Sequence, residues 1–176
     1  CWLARKNHVK SLNGLGNIYM TLGNFKRADS VLRKALEGEH QLGSDVGQAI
    51  NCANLGSVAK HIGKKDSAWA YYHRSMAFNR HANNKLGIAL CHTAFGEMYQ
   101  EAKEYDKAYT EYQTAYEQLR DSKDEWHALQ PLLALVSIDY ITGNFSTAFD
   151  NLQRAKAIAE KIKSKEHLAE VYAHLY

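Results

Sequence analysis

The side chains that could carry out chemistry are nine histidines, three cysteines and one pair of closely spaced glutamates. The histidines form no His-Glu-x-x-His motif, and the neighbours Cys91 and His92 would point about 100° apart on a helix, so they could not easily share a metal ion. The odd number of cysteines and the lack of a Cys-x-x-Cys pair argue against a disulfide framework. We therefore predict neither a metal site nor a disulfide.

Two further patterns could indicate catalysis or cofactor binding. Glu97 and Glu101 lie four residues apart on one helical face and could act as paired carboxylates, but a solvated acidic stripe is the preferred interpretation. Gly14 and Gly16 resemble the start of a dinucleotide-binding fingerprint, but no strand precedes them. Gly-x-Ser-x-Gly and Walker motifs do not occur. We predict no catalytic residues and no cofactor.

These side chains must be positioned by a repeated element, because matched residue types recur every 40 residues. An alanine column contains Ala28, Ala68, Ala108 and Ala148. Further columns contain Leu15, Leu55, Phe95 and Leu135; Gly16, Gly56 and Gly96; Gly23, Gly63 and Gly143; Phe25, Tyr105 and Phe145; and Leu32, Tyr72, Tyr112 and Leu152. Several columns of matched size and polarity at one period indicate a repeat array. We place the repeats at about 4–40, 44–82, 85–121 and 124–163, with a partial fifth at 164–176.

Each column has a reason in helix packing. The glycines at 16, 56 and 96 would sit inside a helix, where glycine costs about 1 kcal/mol relative to alanine, so we expect a partner helix to approach closely there. Gly23 and Gly143 suit the left-handed backbone at a helix end. Cys52 shares an apolar column with Leu12 and Leu132, which predicts a buried thiol.

The fourth repeat departs from this pattern. Val136 replaces the helix-contact glycine, and Asp139 stands where Tyr19 and Tyr99 stand in other repeats. Pro131 lies where the helix should be continuous, and proline inside a helix removes a hydrogen bond and clashes with the preceding turn. We expect a kink or a break near residues 127–130; the alternative is that Pro131 starts a shorter helix after an irregular turn.

The columns resemble the tetratricopeptide repeat across essentially the whole chain. The first repeat contains Leu12, Leu15-Gly16, Tyr19, Gly23-Asn24-Phe25, Ala28, Leu32 and Ala35, in the order of the family pattern. The period of 40 exceeds the usual period of about 34, and the proline near the repeat end is missing, which resembles the longer-helix variety of some bacterial regulators and cell-polarity adaptors. The resemblance implies an all-α fold, a right-handed superhelical solenoid of antiparallel helix pairs.

The same resemblance implies a binding face, because the first helices of such pairs line the concave surface. The positions that match the family's ligand-facing residues are Asn13, Asn17, Met20, Thr21, Ala53, Ser57, Lys60, His61, Thr93, Glu97, Gln100, Glu101, Leu133, Ser137, Tyr140 and Ile141. From this row we select the polar and aromatic members and leave open the alternative of an ordinary surface without a ligand. The selected residues are Asn13, Asn17, Ser57, Lys60, His61, Thr93, Glu97, Gln100, Glu101 and Tyr140.

Within this row, Asn17 matches the asparagine that grips the ligand backbone in peptide-binding members, since an amide can donate and accept at once. Asn13 and Thr21 stand where chaperone-tail binders carry lysines, so that carboxylate clamp is absent. A positive part at Lys60 and His61 and a negative part at the two glutamates would suit an extended segment with both charges, or a helix.

Composition bounds the remaining possibilities. The chain has 176 residues, a net charge of +3 and dispersed lysines and arginines, which argues against nucleic-acid binding. No apolar run approaches the roughly 18 residues of a membrane span. The sequence starts without methionine or a signal peptide and ends within a helical pattern, so we expect a fragment of a longer protein. Its localisation is unknown, cytoplasmic by default and periplasmic if a signal peptide precedes it.

The preferred function is a non-catalytic scaffold that binds a protein or peptide in the concave groove. The alternative is a sensor or regulatory segment of a larger bacterial signalling or transcription regulator. A phosphatase acting on a response regulator is disfavoured, because the separate helical bundle that such relatives use is missing. Array ends can also expose apolar residues, so a homodimer through Trp2, Leu3, Val171, Leu175 and Tyr176 is a further expectation.

Overall fold

The computed structural model describes residues 2–173, and within them every regular element is an α-helix. The nine helices of this range are α1 (Trp2–Thr21), α2 (Phe25–Gln41), α3 (Asp45–His61), α4 (Lys65–His81), α5 (Lys85–Glu101), α6 (Tyr105–Asp121), α7 (Glu125–Ile141), α8 (Phe145–Lys161) and α9 (Lys165–Ala173). The all-α prediction is confirmed. From α2 to α9, each helix begins 20 residues after the one before it, so the 40-residue period contains two helices of equal length.

Three-residue turns of one design join the helices. In the first turn, the amide of Gly23 donates to Met20 O at 3.0 Å and the amide of Asn24 donates to Tyr19 O at 2.8 Å, which is the Schellman pattern of a helix end. Gly23 has a φ of 69°, as this pattern requires. The same pair of backbone bonds recurs at all eight turns between the described helices. The turn therefore sets the 20-residue spacing.

The contacts divide the chain into two compact units, Cys1–Cys91 and His92–Tyr176, with the division inside α5. In the first unit, a core cluster forms where α2 meets α3. Its fully enclosed members are Ala28, Leu32, Leu55 and Val58, and Tyr19, Met20, Phe25, Leu36 and Tyr71 pack against them. The predicted close approach at the mid-helix glycines is confirmed, because a methyl group on Gly16 would lie 2.4 Å from Leu32 Cδ2.

In the second unit, α7 is the most enclosed helix. Its buried members are Ala128, Leu129, Pro131, Leu132, Leu133, Leu135, Val136, Ile138 and Asp139. Where α5 meets α6, a methyl group on Gly96 would lie 2.7 Å from the ring of Tyr112. The larger Val136 occupies the equivalent place in α7, and its partner column residue Leu152 is smaller than the tyrosines at 72 and 112.

Pro131 does not interrupt its helix. α7 runs from Glu125 to Ile141 with Pro131 inside it, so the expected break is wrong, and so is the alternative that Pro131 starts a shorter helix. The reason lies at the start of α7, where the Asp124 side chain accepts a hydrogen bond from the His127 amide and fixes the first turn upstream of the proline. The expected kink stays a prediction.

Two expectations about buried and exposed residues can be compared with the structure. The prediction that Cys52 is buried is confirmed, and Cys91 is buried as well. In the proposed dimer contact, Trp2 and Leu3 are exposed but Val171 is fully buried, so Val171 is wrong as a contact residue because α9 uses it to pack on its own unit. Leu175 and Tyr176 lie outside the described residues. None of the helices described is both long and apolar enough to cross a membrane.

Candidate functional site

In the first unit, an amide pair joins the two first helices, α1 and α3. Asn54 Nδ2 donates to Asn17 Oδ1 across 2.9 Å, and both side chains lie at the surface. Nearby on α1, Asn13 Oδ1 is buried and has no hydrogen-bond partner among the described residues. A buried carbonyl oxygen without a donor is uncommon and costly, so it is suited to accept from a bound group. Asn13 and Asn17 thus lie on α1 beside a neighbouring polar residue of α3.

The remaining predicted residues of the first unit lie near the end of α3. Ser57 and Lys60 are half-buried, and His61 is exposed. The His61 ring stacks on Phe25 with the ring centroids 4.9 Å apart, and its Nδ1 lies 2.8 Å from the Ser57 carbonyl oxygen. These contacts hold the His61 ring against the start of α2, at the border of the first-helix surface.

In the second unit, α5 and α7 are joined by an equivalent polar bond. Gln130 Nε2 donates to Glu97 Oε1 at 2.9 Å. On the other side of α5, the Tyr112 hydroxyl donates to Gln100 Oε1 at 2.8 Å. Burial, and then the negative charges of Glu97 and Glu101, raise the pKa of Tyr112, so both carboxylates act on the same region. This surface is therefore electronegative.

Thr93 differs from the expectation of an accessible side chain. It is only 3% exposed, and Leu133 at the equivalent position of α7 is 2% exposed. Asn13 and Ala53 hold this position in the first unit and are half-buried. The position lies next to the helix interface, which enclosed helices cover more completely than α1, so Thr93 is corrected from a surface residue to a packing residue. Tyr140 is 68% exposed and stacks edge-on with Phe145.

Two residues of the site were missed by sequence reasoning, Asn54 and Gln130. Each lies three residues before a position of the predicted row, Ser57 and Leu133 respectively. Residues three apart are neighbours on a helix surface, so this spacing was the available signal. Among the residues from 2 to 173, no three histidine, cysteine or acidic side chains come together in a way that could hold a metal ion.

Comparison with known proteins adds one decisive observation. Residues 9–37 match the family profile of the tetratricopeptide repeat. The chain contains a tetratricopeptide repeat. The resemblance read from the repeat columns is confirmed, and the matched segment covers α1 from Val9 and most of α2. A search of curated proteins gives no sequence match.

Solved structures show the same tetratricopeptide-like helical solenoid. The apo form of RapI has a TM-score of 0.83 at 19% identity, with 94% of this chain and 60% of that chain covered. Aspartyl phosphate phosphatase F from Bacillus subtilis has a TM-score of 0.89 at 12% identity, with 96% and 44% covered. A Rap protein in complex with competence and sporulation factor has a TM-score of 0.84 at 13% identity, with 93% and 46% covered. The chain thus spans 44–60% of the length of these three proteins.

Proposed function

We propose that this chain is a non-catalytic scaffold that binds an extended protein or peptide segment on its first helices, α1 and α3 in one unit and α5 and α7 in the other. The observation that carries this proposal is the Asn17–Asn54 pair. The bond between the two amides uses one donor and one acceptor. It leaves the Asn17 Nδ2 group as a donor and Asn54 Oδ1 as an acceptor, which is the set that a peptide group requires.

Asn13 supports the same interpretation. Its buried Oδ1 lies on α1 one helical turn before Asn17 and has no partner in the described chain. A backbone N–H of a bound segment would remove the cost of that unsatisfied oxygen. Asn13 and Asn17 together would then hold neighbouring peptide groups of one strand.

The charges of the two units favour different ligand side chains. Lys60 and His61 on α3 favour acidic side chains at the first unit. Glu97 and Glu101 on α5 favour basic side chains at the second, where the exposed Tyr140 ring adds apolar and cation-binding surface. A segment that carries both charge signs is the ligand class that agrees with these residues.

A sensor or regulatory segment is the second candidate, and the similarity to Rap proteins favours it. One of those structures holds competence and sporulation factor, which agrees with ligand binding by this fold. Another is an aspartyl phosphate phosphatase, but this chain spans only 44% of it, so we do not extend phosphatase activity to this chain. Scaffold and sensor share the binding step and differ in whether the ligand alters an attached domain.

The test selects peptides from a random phage-displayed library on the folded chain and measures their affinities by fluorescence anisotropy. We compare the parent with Asn17→Ala and Asn54→Ala. Ser30→Ala on α2 serves as a matched control, because Ser30 is also an exposed polar helix residue but lies on a second helix. Circular dichroism checks that each variant is folded.

We expect each asparagine variant to weaken binding about tenfold, which corresponds to about 1.4 kcal/mol, while Ser30→Ala binds like the parent. Equal affinities for all four proteins would place recognition elsewhere and overturn the proposal. A library that yields no specific peptide would overturn it as well.

A further inference from the structure

Two clefts occupy equivalent sequence positions in the two units. The first, of ≈ 250 Å³, lies among α2, the end of α3 and the start of α4. The second, of ≈ 430 Å³, lies among α6, the end of α7 and the start of α8. Seven of the eight lining residues of the second cleft lie 80 residues after a lining residue of the first. The two clefts are therefore repeats of one feature of the fold, built from different side chains.

The first cleft contains its own cation. Arg33 Nε donates to Asp29 Oδ2 at 2.8 Å, and a second guanidinium nitrogen donates to Asp29 Oδ1 at 3.0 Å. The guanidinium carbon also lies 5.7 Å from the centroid of the Tyr71 ring. A guanidinium held between a carboxylate and an aromatic ring satisfies both its hydrogen-bonding edge and its flat face. The fold thus binds a guanidinium at this place when the chain supplies one.

The second cleft has no such internal cation. The position equivalent to Arg33 is Gln113, which instead donates to Glu117 at 2.6 Å. Asp106 and Asp139 line the cleft together with the rings of Tyr105 and Tyr109, and no lysine or arginine is among the described residues that line it. The second cleft therefore combines carboxylates and aromatic rings without the group that balances them in the first.

Asp139 is the decisive residue of the second cleft. Its side chain is part of a residue that is only 2% exposed, and the hydrogen bond that reaches its carboxylate comes from Asn151 Nδ2 to Oδ2 at 3.2 Å. Burial raises the pKa of Asp139. Burial, and then the negative charge of Asp139, raise the pKa of Tyr109, so the charge acts directly on a ring that lines the cleft. A buried carboxylate supported by one neutral amide is suited to an external cation.

We propose that the second cleft binds a guanidinium group between the Asp139 carboxylate and the rings of Tyr105 and Tyr109. The group belongs either to a small free guanidine or to an arginine side chain of a peptide. A guanidinium fits because it pairs with a carboxylate through two parallel N–H bonds and stacks on aromatic faces. The cleft volume also lies in the range of about 300–1,000 Å³ that is common for small-ligand sites.

The test is isothermal titration calorimetry with three probes: agmatine, N-acetyl-arginine amide and butylamine. Agmatine represents a free guanidine, the arginine amide represents a peptide side chain, and butylamine offers an ammonium without a guanidinium. The variants are Asp139→Asn, which removes the charge, and Gln113→Arg, which restores at the equivalent position the guanidinium that Arg33 supplies in the first cleft. Asp29→Asn in the first cleft is the matched control, and circular dichroism checks the fold of each variant.

We expect one molecule of a guanidinium probe to bind the parent, with at least tenfold weaker binding to Asp139→Asn and to Gln113→Arg and unchanged binding to Asp29→Asn. Which of the two guanidinium probes binds more tightly identifies the source. Gln113→Arg keeps the test decisive if the Asp139 variant folds poorly. Lack of saturable binding by the parent, equal binding by both cleft variants, or tighter binding of butylamine would overturn the proposal.

Discussion

Gly56 of α3 lies directly against the ring of Tyr72 of α4. A methyl group on Gly56 would be 2.7 Å from Tyr72 Cε1 and 2.8 Å from Cδ1, which is closer than packed atoms tolerate. Tyr72 is only 4% exposed, so its rigid ring has little room to move away. The glycine thereby sets the distance at which the two helices of this pair pack.

We predict that Gly56→Ala lowers the free energy of unfolding by about 1 kcal/mol. Alanine improves helix propensity by about 1 kcal/mol, but overpacking of a close contact costs about 1–3 kcal/mol, so the clash outweighs the gain. Gly14→Ala is the control, because a methyl group there would meet nothing within 4 Å and should stabilise the protein by about 1 kcal/mol. Urea unfolding followed by circular dichroism measures both. Shifts of the same sign in the two variants would contradict this account.

The turn after α5 offers a stabilising substitution. Lys103 adopts a φ of 62°, a left-handed conformation that costs a residue with a Cβ about 1–2 kcal/mol and costs glycine little. Four of the eight turns have glycine at this place, including Gly23 and Gly63. We predict that Lys103→Gly raises the free energy of unfolding by about 1 kcal/mol.

Thermal and urea unfolding would measure this gain. Lys34→Gly, at an exposed position inside α2, is the control and should lose about 1 kcal/mol, because there glycine only weakens the helix. A destabilised Lys103→Gly would mean that its side chain contributes more to the fold than the backbone strain costs.

Much of the fold could be predicted because the repeat columns report packing directly. The mid-helix glycines and the large residues 16 positions later, such as Gly16 and Leu32, are the two sides of single contacts. The 20-residue half-period was harder to find, because four turns use asparagine or lysine where glycine would mark the helix end. Pro131 misled the prediction, since the penalty for proline in a helix says nothing about how well the surrounding turn is held.

The candidate site was less predictable, because hydrogen bonds between helices depend on contacts far apart in sequence. Asn17 could be selected from its motif position, but its partner Asn54 lies 37 residues away and belongs to no motif. Asp139 was visible as a departure from the tyrosine column. Its place in a cleft of the second unit depends on α6 and α8, which a single column does not report.

The start of α7 should depend on the ionised form of Asp124. The Asp124 carboxylate accepts from the His127 amide at 3.1 Å, and the His127 ring nitrogen lies 2.8 Å from its other oxygen. Burial works against ionisation, but these hydrogen bonds outweigh it and lower the pKa of Asp124. A carboxyl group with a lowered pKa contributes its stability above the unfolded-state pKa of about 3.9 and loses it as pH falls through the folded-state pKa.

We therefore predict that Asp124→Ala costs about 1 kcal/mol of unfolding free energy at pH 7, the usual value of a helix N-cap, and that this difference from the parent shrinks below about pH 4. Asp121→Ala, at an exposed carboxylate that only pairs with its neighbour Arg120, is the control and should change little. Urea unfolding at a series of pH values gives the comparison. A cost that stays constant down to the lowest pH would show that the negative charge of the cap is not what stabilises α7.

Asp139 should behave in the opposite way. Its pKa is raised by burial, so the folded protein favours the protonated carboxyl more than the unfolded chain does. Stability from this group is complete below the unfolded-state pKa of about 3.9 and is lost as pH rises through the folded-state pKa. At pH 7 the buried charge is a net cost, because the amide of Asn151 is the only hydrogen-bonding group shown to support it.

We predict that Asp139→Asn raises the free energy of unfolding at pH 7 by about 1–2 kcal/mol, which is the order of the penalty for a poorly satisfied buried polar group. The gain should shrink toward pH 4, where the parent carboxyl becomes neutral as well. Asp106→Asn, at the exposed carboxylate of the same cleft, is the control and should show neither the gain nor its pH dependence. If Asp139→Asn instead destabilised the protein at pH 7, the Asp139 charge would have to be compensated within the folded chain, and the cleft would need no external cation.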